Sequence, residues 1–285
     1  MSASAWVEIA ADVFQQRYQP VDVSVVLVRG DTGITVIDTR NNPAEGAEII
    51  ADVAARFGLP IVAAINTHAH YDHSFGNQAF AALRVPIYGH QLVARHYADY
   101  ESPRLLAQQA DPAREPDKDW QQVTLTPPTH VVDQRMTVVA GGRTLELIPL
   151  PPGHTDTDLA ILVPDARVWI LGDVIEESGP PMAGSGSYPL AWPDVLDELL
   201  TWTEPADVIV PGHGAVVDTG FVRRQAADLR ALSDAIRAGW ANGMPVESAV
   251  SAAAATEPTS EWPAVMLRPA FERGYGQLGE RVRRA

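Results

Sequence analysis

Six consecutive residues, His68-Ala69-His70-Tyr71-Asp72-His73, bring three imidazoles and a carboxylate together. Only eight histidines occur in the chain, and three fall here. Imidazole and carboxylate are ligands for zinc, iron and manganese. Packed this tightly, protonated imidazoles would repel one another unless a cation lay among them. In an extended segment His68, His70 and Asp72 share one face. A turn at Tyr71 would swing Asp72 and His73 toward a second ion, so the spacing predicts two neighbouring metals.

Three other places repeat the pattern of an apolar run followed by a turn with a ligand-type residue. They are Gly153-His154, Gly172-Asp173 and Pro211-Gly212-His213-Gly214. Glycine allows the sharp turn from which a side chain projects beyond a sheet edge. His68, His70, Asp72, His73, His154, Asp173 and His213 are therefore the candidate metal set, with Asp72 and Asp173 the candidate catalytic carboxylates.

The positioning elements follow from pattern. Ile61 to Ile65 is an apolar run short enough for one buried strand delivering the histidine motif. Before it, residues 5–40 read as strands: Val23, Val25 and Leu27 alternate with Ser24 and Val26, Arg29-Gly30-Asp31-Thr32-Gly33 signals a hairpin turn, and Ile34, Val36 and Ile37 resume the strand. Asp38 ends the second strand, where it serves either to support a ligand or to cap a turn. Pro43 to Phe57 has helical spacing and stops at Gly58. Downstream, 78–83 and 90–100 read as helices. His90 and His96 in the latter are assigned to the surface or to packing, and His130 to a structural role at a strand start. Residues 111–128, rich in Pro and Asp, form a lid or a connector. Strands with hairpins fill 130–172, and the loop 176–193 carries Tyr188, either facing substrate or anchoring the loop. Asp194 is expected to cap a helix, and 208–210 is a strand. Three helices end the chain, the first with a Val222, Leu229, Leu232, Ile236, Trp240 stripe that packs or, less favourably, forms a homodimer contact. Strands alternating with helices imply an α/β fold. The division expected is a catalytic domain over 1–217 and a helical extension over 218–285.

Of the 285 residues 46% are hydrophobic and 20% charged, an ordinary globular composition. The formal net charge of −15 disfavours nucleic acid and anionic membranes as partners. With no cysteine, disulfides and thiolate metal sites are excluded. The start, MSASAWVEIAADVF, lacks a basic segment followed by a long apolar one, and no apolar run reaches the ~18–20 residues of a spanning helix. A cytoplasmic protein is expected.

The ordered set H-x-H-x-D-H, Gly-His, Gly-Asp and Pro-Gly-His-Gly resembles the metallo-β-lactamase-fold hydrolases over roughly residues 5–215. The resemblance implies an αββα sandwich of two mixed sheets, with two metal ions at one sheet edge, zinc first and iron or manganese as alternatives. His68, His70 and His154 would hold one ion, Asp72, His73 and His213 the second, and Asp173 would bridge them. An aspartate at the bridging position resembles the glyoxalase II-like branch rather than true β-lactamases. The short Asp173–His213 interval excludes the large inserted domain of nucleic-acid-processing members. Acyl-homoserine lactonases carry a Tyr shortly after the bridging Asp, where Val174 to Glu177 stand here. The basic residues of glutathione-thioester hydrolases are not found near the C-terminus. The implied reaction is metal-assisted hydrolysis of an ester, thioester or lactone. The alternatives are an iron enzyme resembling the persulfide dioxygenases, using His68, His154 and Asp173, and a non-catalytic metal-dependent binding or sensing protein.

Overall fold

The computed structural model describes residues 6–284. In the first half of the chain, β1 (Val7–Ala10) and β2 (Val13–Tyr18) form a hairpin, and β2 pairs antiparallel with β3 (Val23–Arg29). β3 returns through the expected tight turn as β4 (Ile34–Ile37). Helix α1 (Pro43–Phe57) then crosses over, and β5 (Ile61–Ile65) joins β4 in parallel. Its bounds match its chemistry: Asn42 accepts from the Glu45 N–H, Pro43 opens the first turn and Gly58 closes it at φ 62°. After β5 come α2 (Tyr71–Ser74), α3 (Asn77–Ala82), β6 (Ile87–His90), α4 (Val93–His96), a π-helical turn (Tyr97–Glu101), α5 (Ser102–Ala110) and β7 (His130–Val132).

The helix expected over 90–100 is corrected at both ends. Gly89 and His90 belong to β6, because β7 pairs with them and takes up their backbone. The helix starts at Val93 and continues through the π turn to Ala110. His90 and His96 are both buried, so neither is a surface residue.

The second half holds β8 (Met136–Ala140), β9 (Arg143–Pro149), β10 (Leu159–Val163), β11 (Val168–Glu176), α6 (Trp192–Trp202), β12 (Val208–His213), α7 (Thr219–Ala241), α8 (Val246–Ala253) and α9 (Ala264–Arg284). Asp194 is not the cap of α6. The helix starts two residues earlier at Trp192-Pro193, and Asp194 lies in its first turn, paired at 2.7 Å with Arg230 of α7.

The strands run in the order β7-β6-β5-β4-β3-β12-β11-β10-β9-β8. One residue pair, Val23 with His213, joins the two halves, so the path folds there into two facing sheets. Strand periodicity assigns the layers. In β3, Val26 and Val28 point inward to meet Leu147, Ile161, Val168 and Val210 of the second sheet. Val23, Val25 and Leu27 point outward to Ile49 and Val53 of α1. In β11, Val168 and Ile170 face the inter-sheet core, whereas Trp169 and Leu171 face the layer built by α6 to α9. The result is the αββα sandwich expected. Leu229, Leu232 and Ile236 of α7 are buried in the outer layer, while Trp240, at the end of the stripe, is 38% exposed and leans edge-on against Tyr275. Among the described residues, no helix is long and apolar enough to cross a membrane.

Helix α9 contributes Leu267, Ala270 and Phe271 to the same cluster as β11 and α6. Phe271 is fully buried. Phe271→Ala should cost about 3–5 kcal/mol through lost transfer energy and the cavity left behind. Urea unfolding followed by tryptophan fluorescence should show that loss in a single transition shared with the sheet.

Candidate metal centre

Strand β5 ends at Ile65, and helix α2 begins only six residues later. His68 and His70 lie on the connecting bends, His70 at the cap position of α2, whereas Asp72 and His73 lie within its first turn. The turn is laced tightly. Ser74 Oγ donates to the carbonyls of Ala69 (3.0 Å) and His70 (2.9 Å), and Asn66 Nδ2 donates to that of His73 (3.1 Å). The change from extended to helical backbone at Tyr71 divides the motif between two groups. His68 and His70 meet His154 and Asp173, while Asp72 and His73 meet His213; within each group one donor atom per residue lies within 4.8 Å of the others. All seven residues singled out in the sequence are thus brought together and buried.

Asp173 stands between the groups. Its Oδ1 is 3.0 Å from His73 Nε2 and 3.5 Å from His213 Nε2. Its Oδ2 is 3.6 Å from His68 Nε2 and 3.8 Å from His154 Nε2. Two glycines admit this placement. Gly172 turns the strand at φ +53°, and a Cβ on Gly212 would sit 1.9 Å from Asp173 Oδ1.

Hydrogen bonds from behind assign each imidazole its tautomer. His73 Nδ1 donates to Asp38 Oδ2 (2.8 Å), His213 Nδ1 to the Val21 carbonyl (2.6 Å) and His154 Nδ1 to Asp158 Oδ1 (3.1 Å). Thr67 Oγ1 donates to Asp38 Oδ2 and therefore accepts from His68 Nδ1 at 3.1 Å. His70 donates instead through Nε2, to the Ser185 carbonyl at 2.9 Å. Each neutral ring then turns a lone pair toward the centre: Nε2 of His68, His73, His154 and His213, and Nδ1 of His70.

These residues fit a cation. His73 Nε2 and His213 Nε2 face each other at 3.3 Å with their Nδ1 hydrogens already committed. His68 Nε2 and Asp173 Oδ1 are buried without a hydrogen-bond partner. Polar atoms left in this condition are costly, and a divalent ion is what imidazole nitrogens and carboxylate oxygens so placed would satisfy. His68 is held well below the usual imidazole range by burial and by the neighbouring imidazole of His73. Burial, then His154, pushes His70 down to about 4. Around His73 and His213 burial also opposes the charge, but Asp173 foremost outweighs it, raising His73 well above its ordinary value and His213 to about 10. Without a metal, protons therefore neutralise this side of the site.

Asp158 and Glu176 were not among the candidate site residues read from the sequence. Asp158 orients His154 and also accepts from the Thr155 N–H and hydroxyl. Its position four residues after His154 was the available signal. Asp38, left open between two roles, is the support of His73 and Thr67. Glu176 is buried at the cavity wall, its carboxyl raised well above the ordinary range by burial and by Asp173. Tyr188 is not among the residues lining the cavity; its main-chain N–H donates to the Gly153 carbonyl (2.9 Å). Residues 111–128 do not line it either. Trp120 of that segment is fully buried against Tyr71 and Phe75, and its Nε1 donates to Asn41 (2.7 Å), so the segment braces α2.

The cavity above the centre measures about 460 Å³. Val21, Tyr71, Pro180, Met182 and Met266 form much of its wall, and Arg104 is the one Lys or Arg among the lining residues. Arg104 is already matched: it pairs through Nε and Nη2 with Glu115 (2.8 and 2.5 Å) and lies over the rings of Tyr71 and Trp120.

Comparison with known proteins agrees with this geometry. A metallo-β-lactamase from Pontibacter korlensis superposes with a TM-score of 0.66 at 19% identity, over 80% of this chain and 99% of that one. A double mutant of the sec-alkyl sulfatase PisA1 superposes with a TM-score of 0.72 at 18% identity, over 95% of this chain and 50% of that one. In sequence, 82 residues are 37% identical to metallo-beta-lactamase domain-containing protein 1 of Xenopus laevis, 27% of this chain and 34% of that protein, so the match spans about a third of the relative's length. Residues 18–213 match the family model of the metallo-beta-lactamase superfamily, a span running from β2 through His213 and holding all seven clustered residues, and the chain belongs to that superfamily.

Proposed function

We propose that this chain is a metal-dependent hydrolase of the glyoxalase II-like branch, acting on an ester, thioester or lactone bond of a small molecule. The observation that carries the reading is Asp173, with one oxygen toward the His73/His213 group and the other toward His68/His154. That is the disposition a carboxylate shared by two divalent ions, zinc first, would need. His68, His70 and His154 would hold one ion, and Asp72, His73 and His213 the other. Bound zinc supplies Lewis acidity and lowers the pKa of a coordinated water from about 15.7 to ~7.

The protein's own part is orientation and proton handling. Asp38 and Asp158 hold their imidazoles in one tautomer, so the donor set is preorganised. Asp72, whose Oδ2 lies 3.4 Å from His213 Nε2, would orient the attacking water or pass on its proton. Val21, Met182 and Met266 put apolar surface on the cavity wall, which suits an apolar acyl or alkyl substituent. Arg104, paired with Glu115, leaves little demand for an anionic group, which agrees with the missing basic residues of glutathione-thioester hydrolases. The acidic net charge supports a small-molecule substrate over nucleic acid or an anionic membrane, and a cytoplasmic location goes with that reading.

Elemental analysis combined with an ester, thioester, lactone and alkyl sulfate panel tests the proposal. Two zinc ions per chain and turnover on one carbonyl class are expected. Asp173→Ala should lose at least one ion and lower turnover at least 100-fold, and unchanged metal content with an unchanged rate would refute the assignment. One iron per chain with oxygen uptake would point to the dioxygenase alternative, and bound metal without turnover to a binding or sensing role.

A pH signature accompanies the metal. In the metal-free protein His213, raised to about 10, is protonated at pH 7, and a metal must displace that proton. Zinc binding at pH 7 should therefore release at least one proton, measured by calorimetry in buffers of different ionisation enthalpy. Apparent affinity should tighten about tenfold per pH unit per proton released, up to roughly pH 10. The stability that protonated His213 contributes to the metal-free fold is present below its unfolded value near 6.5 and lost as pH rises through about 10.

A further inference from the structure

His70 differs from the other four imidazoles of the centre. It must present Nδ1, and what holds it so is a backbone carbonyl, Ser185 O, on the loop between β11 and α6. A loop carbonyl is only as well placed as its loop. Here the segment 184–186 lies flush on two histidines. A Cβ on Gly184 would come within 3.0 Å of His70 Cε1, and one on Gly186, at φ +68°, within 2.6 Å of His96 Cε1. The Ser185 hydroxyl donates to Glu101 at 2.8 Å, tying the loop to the π turn. Two further anchors come from α9, beside the Tyr188 N–H bond to Gly153 and the Arg237 bond from α7 to the Leu190 carbonyl. Arg273 Nε donates to the Ala183 carbonyl at 3.1 Å, and Gln277 Nε2 to the Ser187 carbonyl at 3.0 Å. They grip the loop two residues to either side of Ser185. Between them Gly274 lets α9 close on Ile236 of α7 and Leu190, where a Cβ would sit 2.5 Å from Ile236 Cγ2. Met266, earlier on α9, lines the cavity.

We propose that α9, which lies beyond the superfamily match at 18–213, is a positioning part of the candidate metal centre: Arg273 and Gln277 clamp the Ser185 carbonyl onto His70 and so determine which nitrogen His70 presents to a divalent cation. The inference rests on the metal-site reading above. Without the clamp the loop relaxes, His70 can carry its hydrogen on either nitrogen, and the His68/His70/His154 set loses a preorganised ligand.

The test uses the full chain carrying Arg273→Ala and Gln277→Ala together, with three readouts. Zinc affinity is measured by competition with a chromophoric chelator. Long-range proton–nitrogen correlation of the metal-free protein reports which ring nitrogen of His70 bears hydrogen. Thermal melting of the metal-free protein reports the fold. The expected result is one zinc weakened roughly 10–100-fold with the other unchanged, a new population of His70 with hydrogen on Nδ1, and a preserved melting transition. Arg273→Lys, which keeps a donor, should retain wild-type affinity. Gln277→Ala alone, a milder change, should shift affinity in the same direction if the double variant does not fold. Unchanged zinc affinity and tautomer would overturn the inference, as would equal weakening of both ions together with a lowered melting temperature. A wild-type protein that takes up no zinc would instead overturn the metal-site reading, and the His70 tautomer in the metal-free variant would still decide whether the clamp exists.

Discussion

Five imidazoles and two carboxylates share a buried space at the junction of two sheets, and their lone pairs converge. That convergence is the constraint on which the rest depends. His73 Nε2 and His213 Nε2 cannot rest 3.3 Å apart as bare acceptors, so the space must hold protons or cations. The split of the pKa directions follows. Burial, and after it the neighbouring imidazoles, drives His68 and His70 neutral, while at His73 and His213 the carboxylates, Asp173 foremost, outweigh burial and favour the charged form.

Holding such an arrangement is the task of the surrounding fold. Asp38 is placed by the end of β4, Asp158 by the turn before β10, and the Val21 carbonyl by the turn before β3. Each reaches its histidine from a different element, and the elements are fixed by the inter-sheet core of Val26, Ile65, Leu147, Ile161, Val168 and Val210. Core packing therefore acts on the site by setting acceptor positions to within hydrogen-bond tolerance. The meeting of the two sheets at Val23 and His213 puts the site at the seam, where both sheets contribute ligand-type residues.

The relatives share this architecture at identities of 18–19%, which speaks to fold and not to substrate. Differences within such a superfamily reside in loops and appended elements. In this chain those are the loop after β11, with Pro180, Met182 and Ser185, and α9, with Met266. They build the cavity wall directly over the candidate metal-ligand cluster.

How much of this was legible in the residues themselves differs from element to element. His68, His70, Asp72, His73, His154, Asp173 and His213 could be picked out because ligand chemistry needs particular side chains at strand ends, and those leave a mark in one dimension. Strand alternation and the Asn42–Gly58 helix signals were local, so most elements were readable too. What only the tertiary structure decided was the partner of each group. Asp38, Asp158, Val21 and Ser185 carry no motif, and the last two act through main-chain carbonyls that every residue possesses. For His96 the choice between surface and packing stayed open because burial depends on what packs over it, here the backbone of a loop ninety residues away at Gly186. The start of the helix at Val93 rather than His90 was likewise settled by a distant strand, β7, which claims the backbone of Gly89 and His90. Side-chain chemistry is written residue by residue, whereas hydrogen-bond partnership and burial come into being only when segments remote in the chain meet.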